Sequence, residues 1–290
     1  MALRALGLAL LASAALVSRS AGADLILAKG ADSKAGDALE IEIKAFVTSD
    51  YVYRGVSLSA RKPSAGTNID LSWHGLYFAT NFQSVKLPTN PAAEITLVGG
   101  YRWDFADFKF DLGANYFYYP GEIIPEGGVK TSYWEYALDV SRKVTDWIEL
   151  EGNVAYSPNV SGTGAWGSYA EGAATFDLPK LDMLKSITWQ LTASAGHWWF
   201  GNSSPAQGGF PLPAYTNWHV GVIFRFMDSL SLDLSYFDTN LSKEDCFVFT
   251  GDTMATPGGV PNPVSNPDGL QSRLCGAAFV GTLNVTFDPL

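Results

Sequence analysis

The chain is poor in the residues from which most enzymatic and metal sites are built. It has three histidines and two cysteines in 290 residues. With no further Cys and no His beside them, Cys246 and Cys275 do not make a metal site. No cofactor motif is present either. Basic side chains are also few, 19 against 29 acidic ones, and they form no patch. That excludes nucleic acid as a partner. Charged residues make up 17% of the chain, below the roughly 25% of an average soluble domain. Past the N-terminus, no stretch stays apolar over the ~20 residues that a membrane-spanning helix needs. Long amphipathic helical patterns are missing too. A short turn of helix over Asp182–Ser186 is the most the sequence suggests.

The first 23 residues stand apart. Arg4 provides a positive start, Ala5 to Val17 an apolar core, and Ala21-Gly22-Ala23 a small-residue cleavage site. This predicts a secretory signal peptide, residues 1–23, removed on export. A short lead-in, 24–39, follows. Export places the two cysteines in an oxidising compartment, and both fall in one segment rich in Gly, Pro, Asn and Ser. The reading is a Cys246–Cys275 disulfide, with two free thiols as the alternative.

From Glu40 to the C-terminus, residues 40–290, the chain divides into segments that alternate apolar and polar with period two, bounded by turn residues. Twelve strands are predicted. They are Glu40–Arg54, Asn68–Trp73, Leu76–Val85, Glu94–Asp104, Phe108–Tyr119 and Ser132–Lys143, then Trp147–Ser157, Ser168–Phe176, Ser186–Phe200, Tyr215–Met227, Leu230–Thr239 and Phe279–Phe287. Their connections alternate between long and tight. "GVSLSARKPSAGT" is long and His74-Gly75 tight; "PGEIIPEGGVKT" is long and Val144-Thr145-Asp146 tight. "DLPKLDMLK" is longer than the rule wants. An even strand count with loops segregated by length is the signature of a closed antiparallel outer-membrane β-barrel, with both termini on the periplasmic side. A soluble sandwich has no reason to sort its loops this way.

Alternation also assigns faces. In Tyr215–Met227, Trp218, Val220, Val222, Phe224 and Phe226 share one side, while Asn217, His219, Gly221, Ile223 and Arg225 share the other. The first side faces lipid and the second the lumen. Lipid-side aromatics then sort to the strand ends. Tyr116, Tyr118, Trp134, Tyr136, Tyr156, Trp218 and Tyr236 gather at the long-loop end, and Trp73, Tyr101, Trp103, Phe108, Phe110, Phe176 and Trp189 at the other. Amphipathic rings settle at membrane interfaces, so two girdles are what a barrel predicts. Carried through "FVTSDYVYRG", Phe46–Gly55, the same rule turns Tyr51 and Tyr53 to lipid and Asp50 and Arg54 inward. "GHWWFG", Gly196–Gly201, reads as girdle aromatics.

The stretch "TSDYVYRGVSLS" resembles the opening strand of the TorF-family porins, a proteobacterial outer-membrane family whose members begin with T-S-D-Y-x-x-R-G-x-S. Thr48, Ser49, Asp50, Tyr51, Arg54, Gly55 and Ser57 match that pattern. "LYFATNFQSV", "YWEYALDVS" and "LSLDLSYFDTN" fit later strands of the family in the same order. The resemblance implies an outer-membrane barrel but brings no agreed substrate or catalytic residue. Two features depart from the family: the long cysteine-bearing loop, and an end, "NVTFDPL", that lacks the usual final aromatic.

A lumen assigned by alternation carries more acid than base: Lys44, Arg54, Arg102, Lys109 and Arg225 against Glu42, Asp50, Asp70, Glu94, Asp111, Glu135, Asp139, Glu149, Glu151, Glu171 and Asp233. Of the candidate pore-lining set, His219 completes the list. One reading is a water-filled channel for small polar solutes or ions that prefers cations. In another, each base is paired and the lumen is packed. A barrel acting through its surface loops, structurally or in adhesion, is the alternative function. A lipid-modifying enzyme built on His219 with a nearby Ser and acid is a further one. Outer-membrane lipid is the expected surrounding, and a homo-oligomer is left open.

Overall fold

The computed structural model describes residues 39–124, 129–179, 187–227, 229–252 and 270–289. The signal-peptide and lead-in expectations, the helical turn at 182–186 and the Pro/Gly-rich centre of the last loop lie outside the described residues, apart from Leu39 at the end of the lead-in.

Twelve strands form one closed antiparallel barrel. The first is β1 (Glu40–Thr48). Two short strands, β2 (Val52–Tyr53) and β3 (Val56–Ser57), form a separate hairpin. The wall resumes with β4 (Ser64–Trp73), β5 (Leu76–Gln83), β6 (Glu94–Phe105), β7 (Phe108–Tyr118) and β8 (Tyr133–Thr145). It continues through β9 (Ile148–Ser157), β10 (Gly167–Asp177), β11 (Thr188–Phe200), β12 (Tyr215–Met227) and β13 (Leu230–Thr239), and ends in β14 (Ala278–Phe287). Neighbours in sequence are neighbours in the wall, and β1 closes on β14 from Ile43↔Phe287 to Thr48↔Thr282. The predicted strand count and order hold.

Alternation survives in the registers. On β5, Tyr77, Ala79, Asn81 and Gln83 are buried while Leu76, Phe78 and Phe82 are exposed. On β8, Tyr133, Glu135, Ala137 and Asp139 point in, with Trp134 and Tyr136 outside. A closed wall satisfies its own backbone, which is why large apolar side chains can face outward in a band around it. The outer aromatics cluster at both rims. Tyr116 lies 4.8 Å from Trp134 and 6.3 Å from Tyr118 at the long-loop rim. Trp103 stacks 5.1 Å from Phe110 and 5.9 Å from Tyr101 at the short-turn rim.

Two elements differ from expectation. The first strand stops at Thr48 rather than running to Arg54, with the consequences given below. Between β13 and β14 the chain forms a short helix, α1 (Lys243–Thr250), which period-two reading passed over. Its start was visible as Ser242 followed three residues later by Asp245. The Ser242 hydroxyl accepts from the Asp245 N–H at 3.0 Å, capping the helix N-terminus, and donates to the Asp245 carboxylate at 2.9 Å. Cys246 on this helix bonds Cys275, with Sγ–Sγ 2.08 Å and Cα–Cα 5.7 Å.

Candidate functional site

The site begins where β1 gives way. The Ser49 N–H still bonds Gly281 O at 2.9 Å, sealing the β1–β14 seam. After it the chain leaves the wall and turns into the lumen. Arg54 (φ 46°) and Gly55 (φ 81°) are both left-handed, and Val52-Tyr53 pairs with Val56-Ser57. A two-residue tip with both φ values positive is a type I′ hairpin, whose twist matches that of its strands. Glycine is required at the second position for space as well as for φ. A Cβ on Gly55 would lie 2.2 Å from the Thr239 methyl and 3.1 Å from Asn217 Cβ, on strands β13 and β12. The tip therefore abuts the wall.

Tyr51, Val52, Tyr53 and Arg54 are all buried. The expectation that Tyr51 and Tyr53 face lipid is corrected: both lie inside. Alternation failed here because a hairpin arm is as extended as a wall strand, so the period continues while the surroundings change.

Each polar residue of the opening motif holds this insertion in place. The Thr48 hydroxyl donates to Asp50 O at 2.8 Å. The Asp50 carboxylate accepts from Ser57 at 2.6 Å and Ser59 at 2.8 Å, tying the two arms together. The Tyr51 hydroxyl donates to Glu94 at 2.6 Å, and Tyr119 donates to the other oxygen of Glu94 at 2.8 Å. Arg54 forks onto Glu135 through both terminal nitrogens, each at 2.8 Å. Its guanidinium carbon lies 4.0 Å from the Tyr169 ring, 4.5 Å from Trp198 and 4.8 Å from Tyr53. The Tyr215 hydroxyl donates to Arg54 O at 3.1 Å. Gly196 leaves room for Tyr169, whose hydroxyl would sit 2.1 Å from an added Cβ. The hairpin thus reaches from the β1 seam to β8, β10, β11 and β12, across the lumen.

Around it lies an apolar cluster that includes Tyr53, Val56, Phe117, Tyr133, Tyr169, Trp198, Tyr215 and both cysteines. The cysteine loop also holds the hairpin directly. The Ser57 N–H donates to Leu274 O at 2.8 Å, and Arg61 donates to Gly276 O at 2.6 Å and Arg273 O at 3.1 Å. At the long-loop end the lumen is packed. "GHWWFG" divides accordingly: Trp199 faces outward, but Trp198 points in against Arg54, a correction to the girdle reading of that stretch.

A second arginine sits toward the short-turn end. Arg102 on β6 donates to Asp111 on β7 at 3.0 Å and to Asp70 on β4 at 2.9 and 3.3 Å. It lies 3.7 Å over the ring of Tyr77, whose hydroxyl donates to Asp111 at 2.7 Å. All four groups belong to neighbouring strands of one side of the wall.

The remaining candidates spread around the inner face. Asp139 is buried and accepts from Asn153 at 2.8 Å. Glu171 accepts from Tyr169 at 2.8 Å and Ser194 at 3.3 Å. Arg225 donates to Gln190 at 3.2 Å. Glu149, Glu151, Glu171 and Arg225 are half-buried, whereas Glu94, Asp111, Glu135 and Asp139 are buried. Water therefore reaches the inner face on β9 and β10, at Glu149, Glu151 and Glu171, more than on β6–β8, while Thr192 on β11 and Asn217, His219 and Ile223 on β12 are buried. His219 stacks on Phe237 at 4.9 Å and lies 3.1 Å from Ser235 Oγ. Ser235 in turn donates to Asp233. A hydrolytic triad needs the imidazole between acid and hydroxyl; here the hydroxyl lies between them. Among the described residues, no group of three His, Cys, Asp or Glu could hold a metal ion.

Sequence reasoning found Arg54, Glu135, Arg102, Asp70, Asp111 and Glu94 as inward groups but not their pairing. It missed Tyr77, Tyr119, Tyr169 and Trp198, whose signal was an aromatic ring on an otherwise polar face, and it placed Tyr51 on the wrong side.

Residues 32–257 match a family model described as "Bacterial protein of unknown function (Gcw_chp)". No curated protein matches the chain. Among solved structures, the NanC porin aligns with TM-score 0.46 and 9% identity, covering 86% of this chain and all of its own. The KdgM porin aligns at 0.45 and 9%, covering 86% and 99%. LpxR from Salmonella typhimurium aligns at 0.40 and 8%, covering 85% and 99%.

Proposed function

The chain belongs to the Gcw_chp family of bacterial proteins, and on that premise we propose that it is an outer-membrane channel for small polar solutes or ions, closed toward the cell surface by its inserted hairpin. The observation that carries this reading is the division of the lumen. A packed end is filled by one inserted segment, and half-buried polar side chains, Glu149, Glu151 and Glu171, line the wall on β9 and β10. A barrel of twelve strands is wider than one that side chains alone fill. This one is filled at its long-loop end by a segment that belongs to no wall strand. The tight turns then face the periplasm, and the apolar band with its two aromatic rims meets lipid. The resemblance of Thr48–Ser59 to the TorF-family porins supports the same reading.

Cation preference is part of the proposal. Both buried arginines are neutralised, Arg54 by Glu135 and Arg102 by Asp70 and Asp111. Glu149, Glu151 and Glu171 line the side that water reaches. A confined acidic wall attracts cations. In planar bilayers the purified protein should give discrete conductance steps, with a reversal potential shifted toward the cation in a salt gradient. A shift toward the anion would overturn the preference, and the absence of steps in both the wild type and a hairpin-deleted chain would overturn the channel.

A further inference from the structure

The surroundings of Arg54 form a recognition site in their own right. Glu135 supplies two oxygens, one to each terminal nitrogen of the guanidinium, while Tyr169 and Trp198 present their rings at 4.0 and 4.5 Å from its central carbon. These three groups come from β8, β10 and β11, all wall strands. Only Tyr53, at 4.8 Å, travels with the hairpin. A planar, weakly hydrated cation that forks onto a carboxylate and stacks on aromatic faces is what such a site selects. A hydrated alkali ion satisfies none of these contacts.

We propose that Glu135, Tyr169 and Trp198 bind guanidinium-bearing solutes at the outer end of the lumen, and that Arg54 is the built-in ligand those solutes displace. The inference takes the hairpin as the movable closure of the channel reading. Two observations support displacement. Arg54 fills the site imperfectly: its Nε is buried with no hydrogen-bond partner, and its backbone is left-handed, a conformation unfavourable for an L side chain. And Glu135 is paired with Arg54, so withdrawal of the hairpin leaves a carboxylate beside two aromatic rings without its cation, at the cost of the forked pair. An arriving guanidinium removes that cost; a neutral solute does not. The same site that holds the lumen shut therefore favours opening in the presence of one class of solute.

The test is binding and needs no conduction, so its failure leaves the channel reading standing. Arg54→Ala protein in detergent is titrated with guanidinium chloride against sodium chloride at equal ionic strength, reading tryptophan emission. The expected result is a saturable change at millimolar guanidinium, silent in R54A/W198F and at least about tenfold weaker in R54A/E135Q. The wild type should need higher concentrations, since Arg54 competes. Tetramethylammonium, which can stack but not fork, should bind several-fold more weakly than guanidinium. No saturable response in R54A that keeps the heat-modifiable mobility of a folded barrel would overturn the proposal, as would equal binding in R54A/E135Q. Should R54A fail to fold, Arg54→Lys leaves the ring faces bare while keeping a charge near Glu135. Guanidinium must then give the Trp198-dependent change in R54K, and its absence there overturns the proposal equally.

Discussion

Arg54 and Arg102 have nearly the same chemistry and opposite structural meaning. Both are buried, both fork onto carboxylates, and both lie against aromatic rings. Arg102 joins β4, β6 and β7, strands that the sheet already holds near one another, so its bonds stiffen one side of the wall. Arg54 joins a segment outside the wall to strands on the far side of the lumen. Removing the first loosens the barrel. Removing the second unfastens what the barrel contains. A buried ion pair is weak evidence for stability as such; what it connects decides what it does.

Breaking the wall pair should have the largest effect on stability. Arg102→Leu leaves Asp70 and Asp111 buried without their cation, a change that costs about 3–5 kcal/mol. The barrel should unfold at clearly lower temperature or denaturant in a heat-modifiability assay, with unaltered conductance in the molecules that remain folded. Equal stability to wild type would mean that water or a rearranged neighbour neutralises the two acids.

The disulfide comes next. Cys246 and Cys275 enclose a long segment whose turn holds Ser57 and Arg61 of the hairpin arm. On the chain-entropy model, a closed loop of this length contributes roughly 3–4 kcal/mol to the ordered loop. C246S/C275S should leave the barrel transition in place but make the hairpin arm accessible to protease. Unchanged proteolysis would show that the helix cap and the apolar cluster hold the loop unaided.

At the hairpin tip, Gly55→Ala tests the closure with one atom. A left-handed alanine costs roughly 1–2 kcal/mol, and its methyl meets Thr239. The expected outcome is a destabilised closure, seen as more frequent opening events, with the barrel's own unfolding unmoved. The smallest effect belongs to the open wall. E151Q/E171Q should lower cation preference by a modest shift in reversal potential, larger at low salt where screening is weak.

How much of this could be read from residues alone differs between the two arginines. Arg102, Asp70 and Asp111 fall on wall strands, where period two and the tight turns at His74-Gly75 and Ala106-Asp107 fix both face and neighbour. Their contact follows from the topology. Arg54 falls beyond the end of β1, where nothing in "TSDYVYRG" interrupts the alternation until Gly55. Extended backbone looks the same in a wall and in an inserted arm, and tyrosines read as girdle residues in one and as packing in the other. The signal that could have separated them was density of function. Asp, Tyr, Arg, Gly and Ser in one short run are more than a lipid-facing strand needs, and each has a partner in the fold.

If the 49–63 segment closes the lumen, taking it away must change how the barrel conducts. The wild type and a chain in which residues 50–62 are replaced by a short Gly/Ser link are reconstituted in the same planar bilayer at the same salt. The replaced chain should conduct in larger and more persistent steps than the wild type, with the same cation preference. Steps of equal size and duration in the two proteins would contradict it.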